Sequence, residues 1–250
     1  MARYFLQLAY DGSNYCGWQV QPGVNTVQEE VEKALAIFVK DLGRVVGCGR
    51  TDTGVHASAY FLHFDTAMDL PENFCFKMNA VLPMDIAING IMPVNGDFHA
   101  RFSAYSRSYD YFIHFSKNPF RNAYSVYHPR KLDLERMNAA AEFLIGERDF
   151  TSFSKGQTQT KTNICNVSAA EWKHIDDGVV FSITANRFLR NMVRAIVGTM
   201  LPIGEGSEEP NHILAVMEKK SRMAAGKSAH PQGLFLKEIR YPEIHVASNR

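Results

Sequence analysis

Two periodicities alternate along this chain, and they do so in the same order twice. Residues 3–11 alternate, with Tyr4, Leu6, Leu8 and Tyr10 sharing parity, which predicts a half-buried strand. Thr26 and Glu29 then form a capping-box pattern ahead of Val27, Val31, Ala34, Leu35 and Phe38 at helical spacing, predicting a helix over Val27–Lys40. Arg44–Cys48 and Ala59–Phe64 read as short β-rich runs, Pro71 opens a helix ending near Val81, and Ile86–Met92 returns as a strand. After residue 104 the theme is restated. Tyr105–Phe115 alternates, Asp133 caps a helix with Leu134, Met137, Ala141 and Leu144 on one face, and Gly146 is its stop. Ile164–Lys173 and Val179–Ile183 are predicted as a hairpin turning at Asp177 and Gly178. Helices over Phe188–Met200 and Asn211–Lys219, and a strand over Leu234–Tyr241, complete the pattern. The repeat constrains the chain to an α+β fold of two similar halves, 1–104 and 105–250. With no low-complexity linker between them, the halves are expected to share a sheet, with a cleft where they meet. Residues 151–163, TSFSKGQTQTKTN, are polar and turn-rich and are expected to form a mobile surface loop.

Composition excludes several classes. A chain of 250 residues, 46% hydrophobic, has enough apolar side chains to fold without disulfide or metal staples. Its start lacks a signal-peptide pattern and no apolar run approaches a membrane span, so a cytoplasmic protein with no membrane partner is expected. Cys16, Cys48, Cys75 and Cys165 show no paired spacing and read as reduced, mostly buried thiols. His56, His63, His99, His114 and His128 lack metal-ligand spacing and read as surface or hydrogen-bonded core residues. No Walker loop or dinucleotide-binding glycine turn is present, so the expectation is chemistry without ATP, NAD, metal or other cofactor. The 27 Lys+Arg nearly balance the 26 Asp+Glu. The exception is local: Arg101, Arg107, Lys117, Arg121, Arg130 and Lys131 face only Asp110 within residues 101–131, a candidate polyanion surface.

Three constellations could carry chemistry. GRTDTGVHA, at Gly49–Ala57, brackets a charged centre with Gly49 and Gly54 and displays Arg50, Asp52 and His56. By itself this reads better as a polar turn without chemistry, and it needs partners elsewhere in the chain. Leu189, Met192, Val193, Ile196, Val197 and Met200 mark a buried helical face with Arg187, Arg190 and Arg194 along its edge. That row is either a solvated flank or a source of a guanidinium that keeps a cleft carboxylate ionised. In the basic stretch, Phe102, Tyr105, Tyr109, Tyr111, Phe112, Phe115, Phe120, Tyr124 and Tyr127 interleave with the cations, as nucleic-acid binding requires, although each ring taken singly reads better as core. Arg107, Tyr109 and Tyr111 share parity, so one strand face that could receive an extruded base carries all three.

Four segments in order, YDGSNYCGWQVQ at Tyr10–Gln21, GRTDTGVHA, FHARFSA at Phe98–Ala104 and NRFLRNMVRAIVG at Asn186–Gly198, closely resemble the A-type, anticodon stem-loop family of tRNA pseudouridine synthases. The resemblance spans nearly the whole chain. It implies a pseudouridine synthase fold: two ferredoxin-like, RRM-like halves on one mostly antiparallel sheet with a central basic cleft. It implies isomerisation of uridines at positions 38, 39 and 40 of tRNA by a homodimer. By the family pattern Asp52 is the essential aspartate, Tyr109 packs on the target base, Arg194 pairs with the aspartate and Arg50 helps hold the flipped nucleotide. Arg107 and Arg190 join them as candidate substrate contacts. Three alternatives stand beside this expectation: the same reaction on another RNA site, an RNA-binding module in which Asp52 is structural, and a carboxylate-dependent glycosidase, for which no second carboxylate stands out.

Overall fold

The computed structural model describes residues 1–156 and 162–242, which fall into two compact units. One comprises Met1–Tyr105 with the described residues from Leu236 onward; the other is Ser106–Phe235.

The first unit contains β1 (Ala2–Tyr10), α1 (Val27–Phe38), β2 (Val46–Gly47), β3 (His56–Thr66), α2 (Phe74–Val81) and β4 (Ile86–Val94). Its strands run β4-β1-β3-β2 and every pairing among them is antiparallel, the ferredoxin-like order. β1 sits in the middle, with Phe5 opposite His63 and Met92. The predicted alternation holds for Leu6, Leu8 and Tyr10, yet Phe5 on the other face is equally buried. Phe5 stacks on Phe61 at 5.1 Å and meets Phe98 and Tyr241 edge-on at 5.0 Å each, so a second aromatic layer covers the face that the alternation leaves open. α1 starts as its capping pattern dictates: Thr26 Oγ1 accepts the Glu29 N–H at 3.4 Å. It stops at Phe38 rather than Lys40, because Val39 is already extended. Pro71 accepts the Phe74 N–H in a turn ahead of α2, which itself begins at Phe74.

The second unit restates the pattern with β5 (Ser106–His114), a short β6 (Val126–Tyr127), α3 (Leu134–Glu142), β7 (Gly146–Asp149), β8 (Ile164–Ile175), β9 (Gly178–Ala185), α4 (Met192–Gly204) and α5 (His212–Glu218). Its order is β5-β9-β8-β7, antiparallel throughout, with β6 parallel to the end of β5. A helical asparagine clamps a strand backbone in each unit. Asn79 of α2 holds both the N–H and the C=O of Ile88 (2.7 and 2.9 Å), and Asn138 of α3 holds those of Trp172 (2.8 and 3.0 Å). Trp172 lies on β8 beyond the end of its pairing with β7, so Asn138 satisfies an edge that no strand covers.

Three expectations change. The β8–β9 turn is Asp176–Asp177; Gly178 opens β9, where a Cβ would lie 2.1 Å from the Ile113 carbonyl oxygen, so it serves close strand packing and not the turn. Residues 151–163 are not one loop: Thr151–Phe153 form a 3-10 turn, and Ser152, Phe153 and Ser154 are buried, with Ser152 Oγ donating to the Val216 carbonyl at 2.6 Å. Residues 157–161 lie outside the described residues. The final strand, β10 (Leu234–Arg240), straddles the boundary between the units, and its residues from Leu236 onward group with the first, beside β3. All four cysteines are free thiols, Cys48 and Cys165 buried and Cys16 and Cys75 half-buried. Among the described residues no helix is long and apolar enough to cross a membrane.

Candidate active site

The loop from Gly49 to Val55 joins β2 to β3, and a second segment, Tyr10–Trp18, is wrapped over it. The Tyr10 hydroxyl meets Thr51 Oγ1 at 2.8 Å, the Trp18 N–H donates to the Thr51 carbonyl at 3.4 Å, and the Gly54 N–H donates to the Tyr15 carbonyl at 3.2 Å. Two glycines make this approach possible. A Cβ on Gly12 would fall 2.0 Å from the Val55 carbonyl oxygen, and one on Gly17, whose φ is +85°, would fall 2.4 Å from that of Thr51. Below the loop, the Tyr60 hydroxyl donates to the Gly49 carbonyl at 2.6 Å, and its ring stacks on Trp18 at 4.0 Å. Burial pushes the Tyr60 hydroxyl well above its ordinary pKa, so it stays a donor.

Within this clasp the Asp52 carbonyl accepts the Val55 N–H at 3.1 Å, closing a turn that leaves Asp52 half-buried between buried Thr51 and Val55, with Arg50 exposed. His56 is 1% exposed, with Nδ1 3.0 Å from Asp11 Oδ1, which also accepts from the N–H and hydroxyl of Ser13 (2.9 and 2.6 Å). His56 is therefore a buried hydrogen-bonded residue, as are His63 and His114. Only Gly54 of the two bracketing glycines needs its freedom, at φ +75°; Gly49 has neither a positive φ nor a neighbour that a Cβ would meet.

In the second unit, β5 carries Arg107, Tyr109 and Tyr111 on one parity. Tyr111 is core: it is fully buried, with its hydroxyl on the His230 carbonyl at 2.8 Å. Arg107 Nη1 donates to the Asn186 carbonyl at 2.8 Å, while Tyr109 is half-buried and meets Phe188 edge-on at 5.0 Å. The expectation of a helix from Phe188 with three arginines in a row fails. α4 begins at Met192, because Asn191 adopts the left-handed conformation (φ 66°) and its Nδ2 bonds Ser228 Oγ at 2.7 Å. Arg187 and Arg190 precede the helix and share no helical face with Arg194. The apolar stripe is as predicted, with Met192, Val193, Ile196, Val197 and Met200 all buried.

Arg194, in the first turn of α4, is gripped through its backbone and its side chain by a strap that sequence reasoning left unassigned. Its Nε donates to the Ala229 carbonyl at 2.7 Å and its own carbonyl accepts the Ala229 N–H at 2.9 Å. The strap is braced by Arg222, which donates to the Gly226 carbonyl and Ser228 Oγ (3.1 and 2.8 Å), and by the Gly226 N–H, which donates to Thr199 Oγ1 at 2.9 Å. Gly198 and Gly226 meet there: a Cβ on Gly198 would sit 1.8 Å from the Lys227 carbonyl oxygen. The signal for the strap in the sequence is a turn-forming run, AAGKSAHPQG, but its docking site is not local.

The interleaved rings are less buried than each taken singly suggested. Phe102, Tyr105, Phe120, Tyr124 and Tyr127 are exposed; Phe120 and Tyr124 lie in the irregular stretch after β5, and Tyr127 ends the short β6.

Similarity to known proteins bears on both units. Residues 140–242 match the family model described as tRNA pseudouridine synthase. A tRNA pseudouridine synthase A of Bacteroides thetaiotaomicron is 48% identical over 247 residues, covering 97% of this chain and 92% of the relative. Those of Parabacteroides distasonis and Bacillus subtilis are 46% and 41% identical, covering 97% and 94% of this chain and 97% of each relative. At this identity over this length, the chain belongs to the tRNA pseudouridine synthase A family.

Proposed function

We propose that this protein converts uridine to pseudouridine at positions 38, 39 and 40 of the tRNA anticodon stem-loop, as a cytoplasmic homodimer, with Asp52 as the catalytic carboxylate. The observation that carries the reading is the clasp of Tyr10–Trp18 over GRTDTGVHA, which ties down Thr51 and Gly54 on either side of Asp52 and leaves Asp52 half-exposed between them. A polar turn without chemistry has no need of two glycines emptied of side chains against it.

The reaction breaks C1′–N1, turns the uracil, joins C1′ to C5, moves the C5 proton to solvent and returns one to N1. It needs no redox partner and no energy source. An ionised Asp52 can attack C1′, add to C6 of the uracil or take the 2′ proton. Arg194, held through its Nε at the Ala229 carbonyl, is the partner assigned to keep it ionised. Tyr109, already fixed edge-on against Phe188, stacks on the uracil. Arg50 holds the flipped nucleotide, and Arg107 and Arg190 meet its neighbouring phosphates. Extruding the base costs roughly a few kcal/mol, which stacking at about 1–3 kcal/mol per base and the phosphate contacts offset. With a net charge of +1, affinity for tRNA rests on local cations, and two such surfaces in a dimer double them.

Tritium release from C5-labelled uridine in tRNA transcripts tests the assignment. The parent releases tritium and Asp52→Asn does not, while still retaining tRNA on a filter; release by the variant at the parental rate refutes it. Mapping pseudouridines in tRNA from cells lacking the gene checks the three positions.

A further inference from the structure

One stretch of the first unit spends its polar groups on immobilising a side chain that it does not bury. Residues 98–104, FHARFSA, follow β4. Arg3, whose Nε and Nη2 grip both oxygens of Asp65 (2.7 and 2.8 Å), donates Nη1 to the Phe98 carbonyl at 3.0 Å. The Ala100 N–H donates to His63 Nδ1 (3.1 Å), and its carbonyl accepts the Tyr241 hydroxyl (2.7 Å). His99 Nδ1 accepts from the N–H of Arg101 (3.1 Å) and of Phe102 (3.3 Å), while the main chain of His99 closes onto Ser103 with two bonds of 2.9 Å. Phe102 nevertheless stays 74% exposed, its ring 4.4 Å from that of His99 and 5.5 Å from the Arg101 guanidinium. The fold gains little by burying Phe102; the loop holds an exposed ring and guanidinium as one rigid pair.

The surroundings are cationic. Val46 of β2 pairs with His63, and Arg44 precedes Val46 by two residues, which brings Arg44 to the same end of β3. Burial and the charges of Arg3, Arg101 and Arg44 hold His99 below its ordinary pKa, which keeps it a neutral acceptor for both N–H groups. Asp65 is engaged by Arg3, and Asp97 acts on Arg3 as well. His63 and His56 are seven residues apart on β3, which at about 3.3 Å per residue separates this platform from the Asp52 loop by roughly 23 Å.

We infer that Phe102, Arg101 and Arg44 form a second RNA-contact surface on the first unit, away from the Asp52 loop, where an exposed base stacks on Phe102 and neighbouring phosphates meet the two arginines. Rings beside guanidinium groups suit unpaired bases and phosphates. One exposed ring among cations lacks the apolar core that a lasting interface between copies of the chain needs. The inference rests on the tRNA reading above.

The test compares the full-length parent with Phe102→Ala, Phe102→Trp and the pair Arg44→Ala with Arg101→Ala, reading tRNA binding by fluorescence anisotropy separately from tritium release. Phe102→Ala is expected to raise Kd and KM for tRNA about tenfold with kcat changed less than about twofold, and Phe102→Trp to restore both. The arginine pair is expected to lessen the slope of log affinity against log salt by about 1–2. Unchanged Kd and KM in Phe102→Ala overturn the inference. So does a change of sedimentation to monomer with tRNA affinity per subunit intact, which assigns the surface to a second copy. A parent that binds tRNA but releases no tritium refutes the proposed reaction, and the binding comparison still decides this surface.

Discussion

Substituting glycines in and around the clasp separates steric approach from backbone conformation, because Gly12, Gly17, Gly23 and Gly49 carry different combinations. Gly12 has no positive φ but would place a Cβ 2.0 Å from the Val55 carbonyl oxygen, where an ordinary contact is 3.4 Å or more; either the clasp or the Asp52 loop must give by roughly 1 Å. Gly17 carries both burdens, with φ +85° and a Cβ 2.4 Å from the Thr51 carbonyl oxygen and 3.2 Å from the Asp52 carbonyl carbon. Gly23 has only the conformation (φ +74°, open space), and Gly49 has neither. Overpacking costs about 1–3 kcal/mol and the left-handed conformation about 1–2 kcal/mol, so stability should fall in the order Gly49→Ala (about zero), Gly23→Ala (about 1–2 kcal/mol), Gly12→Ala (about 1–3 kcal/mol) and Gly17→Ala (about 2–5 kcal/mol). Activity should follow a different order. A displacement of about 1 Å at a reacting group costs about 100-fold, so Gly12→Ala loses about 100-fold in kcat/KM although its stability loss is close to that of Gly23→Ala, which keeps its rate. Urea unfolding and tritium release on the same preparations check both orders. Gly12→Ala with kcat/KM within threefold of the parent would refute the argument that the clasp positions Asp52.

Removing Arg194 should lower kcat about tenfold or more, measured by single-turnover tritium release on Arg194→Met. Arg194→Lys should recover little, because one ammonium cannot both hold the Ala229 carbonyl and pair with a carboxylate as a guanidinium does. Asn191→Gly should lose only the Ser228 bond, about 1 kcal/mol in urea unfolding, whereas Asn191→Ala adds the left-handed cost of about 1–2 kcal/mol. Burial, helped by Arg3 and His99, pushes His63 down from the ordinary 6.5 to about 4, so the neutral ring is the form the fold requires. Since the folded value is the lower one, this stabilisation is complete above pH 6.5 and drains away between about 6.5 and 4, at about 1.4 kcal/mol per pH unit and about 3 kcal/mol in all. Urea unfolding of His63→Gln, which keeps an acceptor for the Ala100 N–H, should show a shallower slope across that window.

Wherever one local pattern decided the outcome, the sequence was legible. The N-caps at Thr26 and Asp133 both form as read, since an N-cap needs only three or four residues to satisfy it, while Glu29 pairs with Lys33 at 2.9 Å. The apolar stripe of α4 is equally local. Its arginine row was misread because the stripe continues through Leu189 into residues that are buried without being helical; periodicity does not register that Asn191 turns left-handed to reach Ser228. Gly178 was assigned to a turn because glycine favours turns, whereas its purpose is set by Ile113, a residue 65 positions earlier. Aromatic parity on β5 foresaw one face but not that Tyr111 would be sealed by His230. Every one of these misreadings involves a partner distant in sequence, and no spacing rule contains one.

Asp52 and Arg194 lie in different units and different kinds of structure, a turn and a helix start, yet the same device fixes each. A distant segment lies across the element, bonds to it through the main chain, and carries or meets glycines where a side chain would collide: Gly12 and Gly17 over Asp52, Gly226 against Gly198 near Arg194. Main-chain clasps resist displacement better than side-chain contacts, because an amide bonded in a turn has few rotamers to lose and no flexible stem to bend. In the proposed reaction, ordering the carboxylate and the guanidinium before the base is extruded spares binding free energy for the extrusion. On this argument the ordering is done during folding, by Tyr10–Trp18 and by Arg222–His230, and the glycines within those segments should tolerate substitution less well than many residues that touch the RNA.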